Sequence, residues 1–362
     1  MYSKLIFIYM LLWLLGCDNP IEPSYKKAVW IIPLEESAHS PMVMDDRYIY
    51  FNGSFTNFYK IEKASGNKSK VNVTPTNLFG SPSLFDSTIY NGTRGGALHS
   101  INPKTLSIIW TKYGFQWTVI TAADEFALYV TEENRISALQ KSDGSLIWST
   151  EIIGKNSFNP EINSEKLYFV TGAMHRQDGY FYCLNKYTGE VIFRKIIPYY
   201  EDKSQFGGSV TGVGIWNNNV YVSSDNRYLY CFNKETGDSI WTYLMDAPSE
   251  TPPRISEGIV YTGTLNRTCY AINATNGNFV WSYQTVGSIS RIPPQFYGDM
   301  VVFISGAIII CDKKTGKLIH DISSRTGDKY DYSSVIWDGD GKMYLTAFEN
   351  PGDNFAVIAY QF

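Results

Sequence analysis

The chain has 362 residues and a formal charge of −4, with 44% hydrophobic and 15% aromatic side chains. That length exceeds what one hydrophobic core usually fills, so two domains or a repeat architecture is expected. With 27 Tyr, 29 Gly, 15 Pro and no Lys/Arg run, the composition favours short pleated strands joined by many turns and carries no nucleic-acid footprint.

Residues 1–4 make a short, positively charged start, and residues 5–15 form an apolar run. The run is too short to span a bilayer comfortably and has the layout of a signal peptide. It ends in Leu14-Leu15-Gly16-Cys17, which resembles the lipobox of bacterial lipoproteins, with Leu15 where a smaller residue is more usual. The resemblance implies cleavage before Cys17 and lipidation of its thiol. Residues 1–16 are then the signal peptide, 17–26 a polar, proline-containing tether, and 27–362 the folded part. Two or more acyl chains, each contributing about 0.8 kcal/mol per buried CH₂, anchor a protein stably.

Along the rest of the chain, alternating apolar runs come in pairs. Val43-Met44 turns at Asp45-Asp46 into Tyr48-Ile49-Tyr50-Phe51, and Ser83-Leu84-Phe85 turns at Asp86-Ser87 into Thr88-Ile89-Tyr90. Similar hairpins surround 163–165, 217–218, 257–258 and 298–299. Each is followed by a second hairpin of fixed pattern. Its copies are Leu184-Asn185-Lys186-Tyr187-Thr188-Gly189, Phe232-Asn233-Lys234-Glu235-Thr236-Gly237 and Ile272-Asn273-Ala274-Thr275-Asn276-Gly277, each followed four residues after the Gly by an aromatic residue. Asp143-Gly144 and Thr315-Gly316 mark two more copies. Gly66, and Leu106 standing in the Gly slot, mark two weaker ones. The Asn or Asp side chain bonds the following backbone, and Gly accepts the positive φ that the turn requires.

The seven turn positions are separated by 40, 38, 45, 48, 40 and 39 residues, a spacing typical of four-stranded propeller blades. The last unit supplies only three strands, around 335–337, 343–345 and 355–360, while 28–34 is a strand preceding the first full unit. Pairing the two closes the ring without a free edge. The reading is an all-β, eight-bladed β-propeller of four-stranded antiparallel blades, or seven blades if the Leu106 unit is misread.

The pattern small-Leu-Asn-Lys-x-Thr-Gly-x-x-x-Trp resembles the PQQ-like, quinoprotein-type propeller repeat, over about residues 27–362. In that family the Trp packs between blades; Trp110, Trp148, Trp241 and Trp281 match the slot, whereas Phe193 and His320 depart from it. The family includes quinone-dependent dehydrogenases that hold the cofactor against a disulfide of adjacent cysteines. Here Cys183, Cys231, Cys269 and Cys311 are far apart and read as strand core, so no cofactor is expected. A lipobox, a short tether and a single ring are together similar to the propeller lipoproteins of the outer-membrane β-barrel assembly machine. That resemblance implies a scaffold for protein partners.

Candidate sites are few. Asp338-Gly339-Asp340-Gly341 looks like a fragment of a calcium loop but occupies a first-hairpin turn, and no metal is expected. His39, His99, His175 and His320 fall in different units, and neither a metal-ligand spacing nor a catalytic triad is evident. Arg94, Arg135, Arg176, Arg227 and Arg267 recur just before the third strand of five consecutive units. They form either a ring of anion-binding groups or a solvated residue inherited with the repeat. Because strand direction alternates, they share a face with the inter-blade loops that hold Trp117, Tyr200, Arg291 and Tyr330. The expectation is a monomeric, non-enzymatic lipoprotein of the cell envelope, lipid-anchored to the outer membrane and binding protein partners at Arg135, Arg227, Arg267 and these loops. A glycan- or ligand-binding surface lipoprotein and a PQQ-dependent dehydrogenase are the alternatives.

Overall fold

Alternation of buried and exposed side chains, interrupted every five or six residues by Gly, Asn or Asp, leaves this chain no option but short strands. The computed structural model describes residues 28–38, 40–73, 82–93, 95–115, 120–132, 134–154, 159–172, 178–199, 210–289, 291–322, 330–349 and 354–362. These residues form 32 strands and no helix. The first strand is β1 (Ala28–Leu34). Blade one is β2 (Val43–Met44), β3 (Tyr48–Asn52), β4 (Asn57–Glu62) and β5 (Lys68–Asn72). Blade two is β6 (Ser83–Phe85), β7 (Thr88–Gly92), β8 (Ala97–Ile101) and β9 (Ile108–Tyr113). Blade three is β10 (Ile120–Ala123), β11 (Leu128–Thr131), β12 (Arg135–Leu139) and β13 (Leu146–Glu151). Blade four is β14 (Glu161–Asn163), β15 (Lys166–Thr171), β16 (Gly179–Asn185) and β17 (Val191–Ile197). Blade five is β18 (Val210–Trp216), β19 (Asn219–Ser224), β20 (Tyr228–Asn233) and β21 (Ser239–Leu244). Blade six is β22 (Arg254–Ser256), β23 (Ile259–Gly263), β24 (Thr268–Asn273) and β25 (Phe279–Gln284). Blade seven is β26 (Gln295–Tyr297), β27 (Met300–Ile304), β28 (Ile308–Asp312) and β29 (Leu318–Ile322). Blade eight is β30 (Tyr330–Trp337), β31 (Lys342–Glu349), β32 (Phe355–Gln361) and then β1.

Every pairing within a blade is antiparallel and sequential, and β1 closes the ring by pairing with β32, Leu34 against Phe355 and Trp30 against Ala359. The eight blades, including the Leu106 unit, are those read from the repeat. First strands of neighbouring blades meet: β2 with β6, β6 with β10, β14 with β18, β18 with β22 and β26 with β30. They ring the axis, and the fourth strands form the rim.

The core lies between blades, and one device recurs. In six of the eight blades the aromatic residue of the outer strand lies on the turn of the next blade. An added Cβ would meet the preceding ring at 3.2 Å for Gly66 (Trp30), 3.1 Å for Gly144 (Trp110), 2.5 Å for Gly189 (Trp148), 2.7 Å for Gly237 (Phe193), 2.8 Å for Gly277 (Trp241) and 2.5 Å for Gly316 (Trp281). Only glycine leaves that surface bare. The indole N–H of each Trp also donates to a carbonyl of the same turn: Trp30 to Lys63, Trp110 to Lys141, Trp148 to Lys186, Trp241 to Ala274 and Trp281 to Lys313, at 2.8–3.2 Å.

Where the pattern breaks, other groups take its place. Phe193 has no N–H, which leaves the Tyr168 hydroxyl to donate to Lys234 O at 3.2 Å, where Ala274 O and Lys313 O each accept from both a Tyr and a Trp. Blade one has Lys70 in the Trp slot, and Lys70 turns to Glu35 at 3.5 Å. No ring then covers the next turn. Leu106 sits there at φ +59 with its side chain buried in one cluster with Phe58, Ile89 and Ile101. The buried Lys60 ammonium donates to Pro103 O and Lys104 O at 2.7 and 2.8 Å. At the last interface His320 meets the ring of Phe362.

Seven of the eight second strands carry a Tyr at one position: Tyr50, Tyr90, Tyr129, Tyr168, Tyr221, Tyr261 and Tyr344, all buried. In three blades its hydroxyl donates to the Asp of its own first turn: Tyr50 to Asp45 (2.7 Å), Tyr129 to Asp124 (3.4 Å) and Tyr344 to Asp338 (2.9 Å). Burial, reinforced by these carboxylates, pushes the three phenols well above their usual range. Tyr168, Tyr221 and Tyr261 reach instead to the turn carbonyl of the next blade.

His99 on β8 is buried, with Nδ1 2.9 Å from Thr111 Oγ1 and Nε2 without a partner. Burial lowers its pKa below the ordinary 6.5. The folded protein therefore binds fewer protons here than the unfolded chain, so stability falls as pH drops below about 6.5. The urea midpoint should drop between pH 7 and pH 5, and His99→Gln should shrink that drop. An equal drop in both proteins would exclude His99 as its source.

Candidate partner-binding face

Strand direction sorts the connections onto two faces. Turns joining first to second and third to fourth strands share one face. Loops joining second to third strands, and the connections between blades, share the other.

On the turn face, polar groups are committed to the fold. Asp338 Oδ1 accepts the backbone N–H groups of Asp340 and Lys342 at 3.1 and 2.8 Å, and Oδ2 takes Tyr344. Asp45 and Asp124 make the same set of bonds in blades one and three. This is the geometry of a turn, as the position of Asp338 in the repeat suggested. Lys313, almost wholly buried, donates to Glu257 Oε1 at 2.6 Å, and Lys186 to Asp124 Oδ2 at 2.8 Å, tying adjacent blades.

On the loop face, Arg135 opens β12 and is exposed, opposite Glu151 in the register. Arg227 and Arg267 occupy equivalent tight turns, each donating its backbone N–H at 3.1 Å, to Ser224 O and Thr264 O. Both have left-handed backbone, φ +74 and +68, where blades two and seven place Gly96 and Gly306. A side chain there costs roughly 1–2 kcal/mol that glycine would not. The Arg227 guanidinium reaches Met245 O at 3.2–3.3 Å, whereas the Arg267 side chain is exposed. Arg291 is committed to a two-pronged pair with Glu250 at 2.8 and 3.1 Å, joining two inter-blade connections; that bond raises its pKa further. Tyr330 starts β30 opposite Glu349. Cys17, Trp117, Tyr200, Arg94, Arg176, His39 and His175 lie outside the described residues.

One contact had no signature in the sequence. Arg254 Nη1 on β22 meets Glu161 Oε1 on β14 at 2.9 Å, linking the inner strands of blades six and four past blade five. Gly214 on β18 allows this crowding, since a Cβ there would stand 2.6 Å from Pro253 O.

The described residues contain no group of His, Cys, Asp and Glu placed to hold a metal ion. The four described cysteines lie in four different blades, buried and unpaired; burial pushes Cys183 up to about 11 and Cys231 and Cys311 up to about 12. Such thiols are inert packing groups. They do not supply the adjacent pair against which quinone dehydrogenases hold their cofactor. Among the described residues no helix is long and apolar enough to cross a membrane.

A closed ring of eight four-stranded blades, fastened by Trp on Gly, defines a propeller of the PQQ-like class. The family described as outer membrane protein assembly factor BamB matches residues 94–196 and 177–350, and the chain belongs to it. BamB of Shewanella oneidensis is 25% identical over 114 residues, which is 31% of this chain and 28% of that protein's length. The crystal structure of BamB from Moraxella catarrhalis superposes with a TM-score of 0.74 at 14% identity, covering 93% of this chain and 99% of that one. The computationally designed protein Ika8 gives 0.73 at 14% identity, covering 91% and 98%. A quinohemoprotein alcohol dehydrogenase from Pseudomonas putida gives 0.70 at 10% identity, covering 92% and 76%. At these identities the structures share the fold and no more.

Proposed function

We propose that this protein is a non-enzymatic scaffold of the cell envelope, lipid-anchored through Cys17, that docks protein partners of outer-membrane protein assembly on its loop face. Membership of the BamB family supports the setting. The observation that carries the docking face is the pair Arg227 and Arg267, arginines kept where the backbone favours glycine. Strained backbone of this kind clusters at binding and catalytic sites, and Arg267, unlike Leu106, does not bury its side chain to compensate. With Arg135 they present cations beside the inter-blade connections, suited to an acidic, hydrogen-bonding partner surface.

The test is crosslinking in intact cells followed by mass spectrometry, on the native lipoprotein and on Arg135→Glu/Arg267→Glu. The reading expects β-barrel assembly components among the attached proteins and at least a tenfold loss of them in the variant, with both proteins still in the membrane fraction. Recovery of a sugar-uptake or surface complex without any assembly component would sink it.

A further inference from the structure

Outer strands of a propeller are edge strands, and proteins blunt such edges with lysine, proline or brevity. Several edges here are blunted in that way. β5 carries Lys68 and Lys70, β1 carries Pro33, and β29 has five residues including Asp321. β17, with β1 the longest of these strands, is seven residues long and contains no proline; it does carry Arg194 and Lys195, and among the described residues it pairs with β16.

Its side chains alternate. Phe193 points at Gly237 of blade five. On the opposite side Ile192 is 44% and Ile196 59% exposed, with the exposed Arg194 between them. Arg194 and Ile196 lie across from Tyr182 and Tyr180 on β16. The Arg194 guanidinium sits over the Tyr180 ring at 5.2 Å and, among the described residues, makes no ion pair. Its neighbour Lys195 is already paired with Asp238 at 3.0 Å. The next outer strand, β21, likewise exposes Ile240 and Leu244.

From this geometry we infer that the edge of β17 is a docking site for an extended segment of another polypeptide, which adds to blade four as a fifth strand. Backbone hydrogen bonds along the edge supply affinity, and alternate side chains supply specificity. Opposite Ile192, Arg194 and Ile196 the incoming strand places an apolar residue, an acidic residue and an apolar residue on one face. The carboxylate pairs with a guanidinium that the Tyr180 ring already holds in place. The inference stands on β17 and is independent of what binds the loop face.

The probe is a blocked seven-residue peptide carrying Val, Asp and Val at alternate positions of one face and Thr at the four others. It is titrated into the whole protein while amide hydrogen exchange is followed. Protection confined to β17 is expected. Arg194→Glu should weaken binding at least tenfold, and a peptide with Lys in place of Asp should bind that variant as the original binds the native protein. Protection elsewhere, no protection at millimolar peptide, or equal affinity for native and Arg194→Glu protein would overturn the proposal. The Arg194 side chain is at the surface, and an unchanged urea midpoint establishes that the variant is folded.

Discussion

Gly189→Ala should lower stability by about 3 kcal/mol. The residue has φ +75, where a Cβ costs roughly 1–2 kcal/mol. The added carbon would also stand 2.5 Å from Trp148 Cε3 and 2.7 Å from Thr150 Oγ1, overpacking that costs a further ~1–3 kcal/mol. The two contributions can be separated. In a Trp148→Ala background the ring is gone, and the same substitution should cost only the strain and what remains of the Thr150 contact, ~1–2 kcal/mol. Gly339→Ala is the control, because a Cβ there meets nothing within 4 Å. Chemical denaturation of the four variants and the native protein makes the comparison. If Gly189→Ala costs no more than Gly339→Ala, the ring-on-glycine contact is not what fastens the blades.

Deletion of residues 28–34 should abolish the closed ring. Trp30, Ile32 and Leu34 pack with Tyr344, Val357 and Ala359 in one cluster. Burial of three large apolar side chains contributes about 5 kcal/mol, which is comparable to the whole stability of an ordinary domain. The deletion also bares β32 as a new edge containing Val357 and Ile358, both fully buried in the intact protein. Size-exclusion chromatography should show aggregates in place of the native species, and hydrogen exchange should show blade eight unprotected. Moving 28–34 behind Phe362 through a short turn should restore the native species, because Ala28 already lies opposite Tyr360. A monodisperse deletion variant with an unchanged unfolding midpoint would show that the ring does not depend on this strand.

The blades were legible because the features that build them are local. Asn185 and Gly189 shape a turn within five residues, and the turn repeats at a period that names the architecture. Closure by 28–34 was legible as well, since the last unit was one strand short. What the sequence did not disclose is how neighbouring blades compensate one another. Leu106 reads as a degenerate glycine; only the structure ties it to Lys70 of the preceding blade, which leaves the turn uncovered, and to Lys60, which replaces the missing indole. Trp30 reads as a strand residue because it precedes the first full unit, yet it fills the same slot on Gly66. The column of tyrosines from Tyr50 to Tyr344 has a signal in the sequence, its common position in the second strands, but the partners of the hydroxyls do not. At the candidate face, the Arg series was legible from spacing alone. That Arg227 and Arg267 have left-handed backbone, that Arg291 is committed to Glu250, and that Arg254 reaches Glu161 depend on distances between loops and blades that no local pattern encodes.

The pairing of β1 with β32 also sets the order of events as the chain is made. Blades one to seven are each continuous in sequence, so each can form soon after its own strands emerge. β1 leaves the ribosome before any of them, yet its partner at Phe355–Gln361 comes last. During that interval Trp30 and Ile32 can settle on Gly66 of blade one, but the backbone groups that will pair with β32 have no partner, a period in which unpaired strands associate wrongly. Completion of the ring is then a single long-range event, slow to find because the joined segments are so distant along the chain. A cell that makes this protein needs to keep one short strand from pairing elsewhere until the final blade arrives.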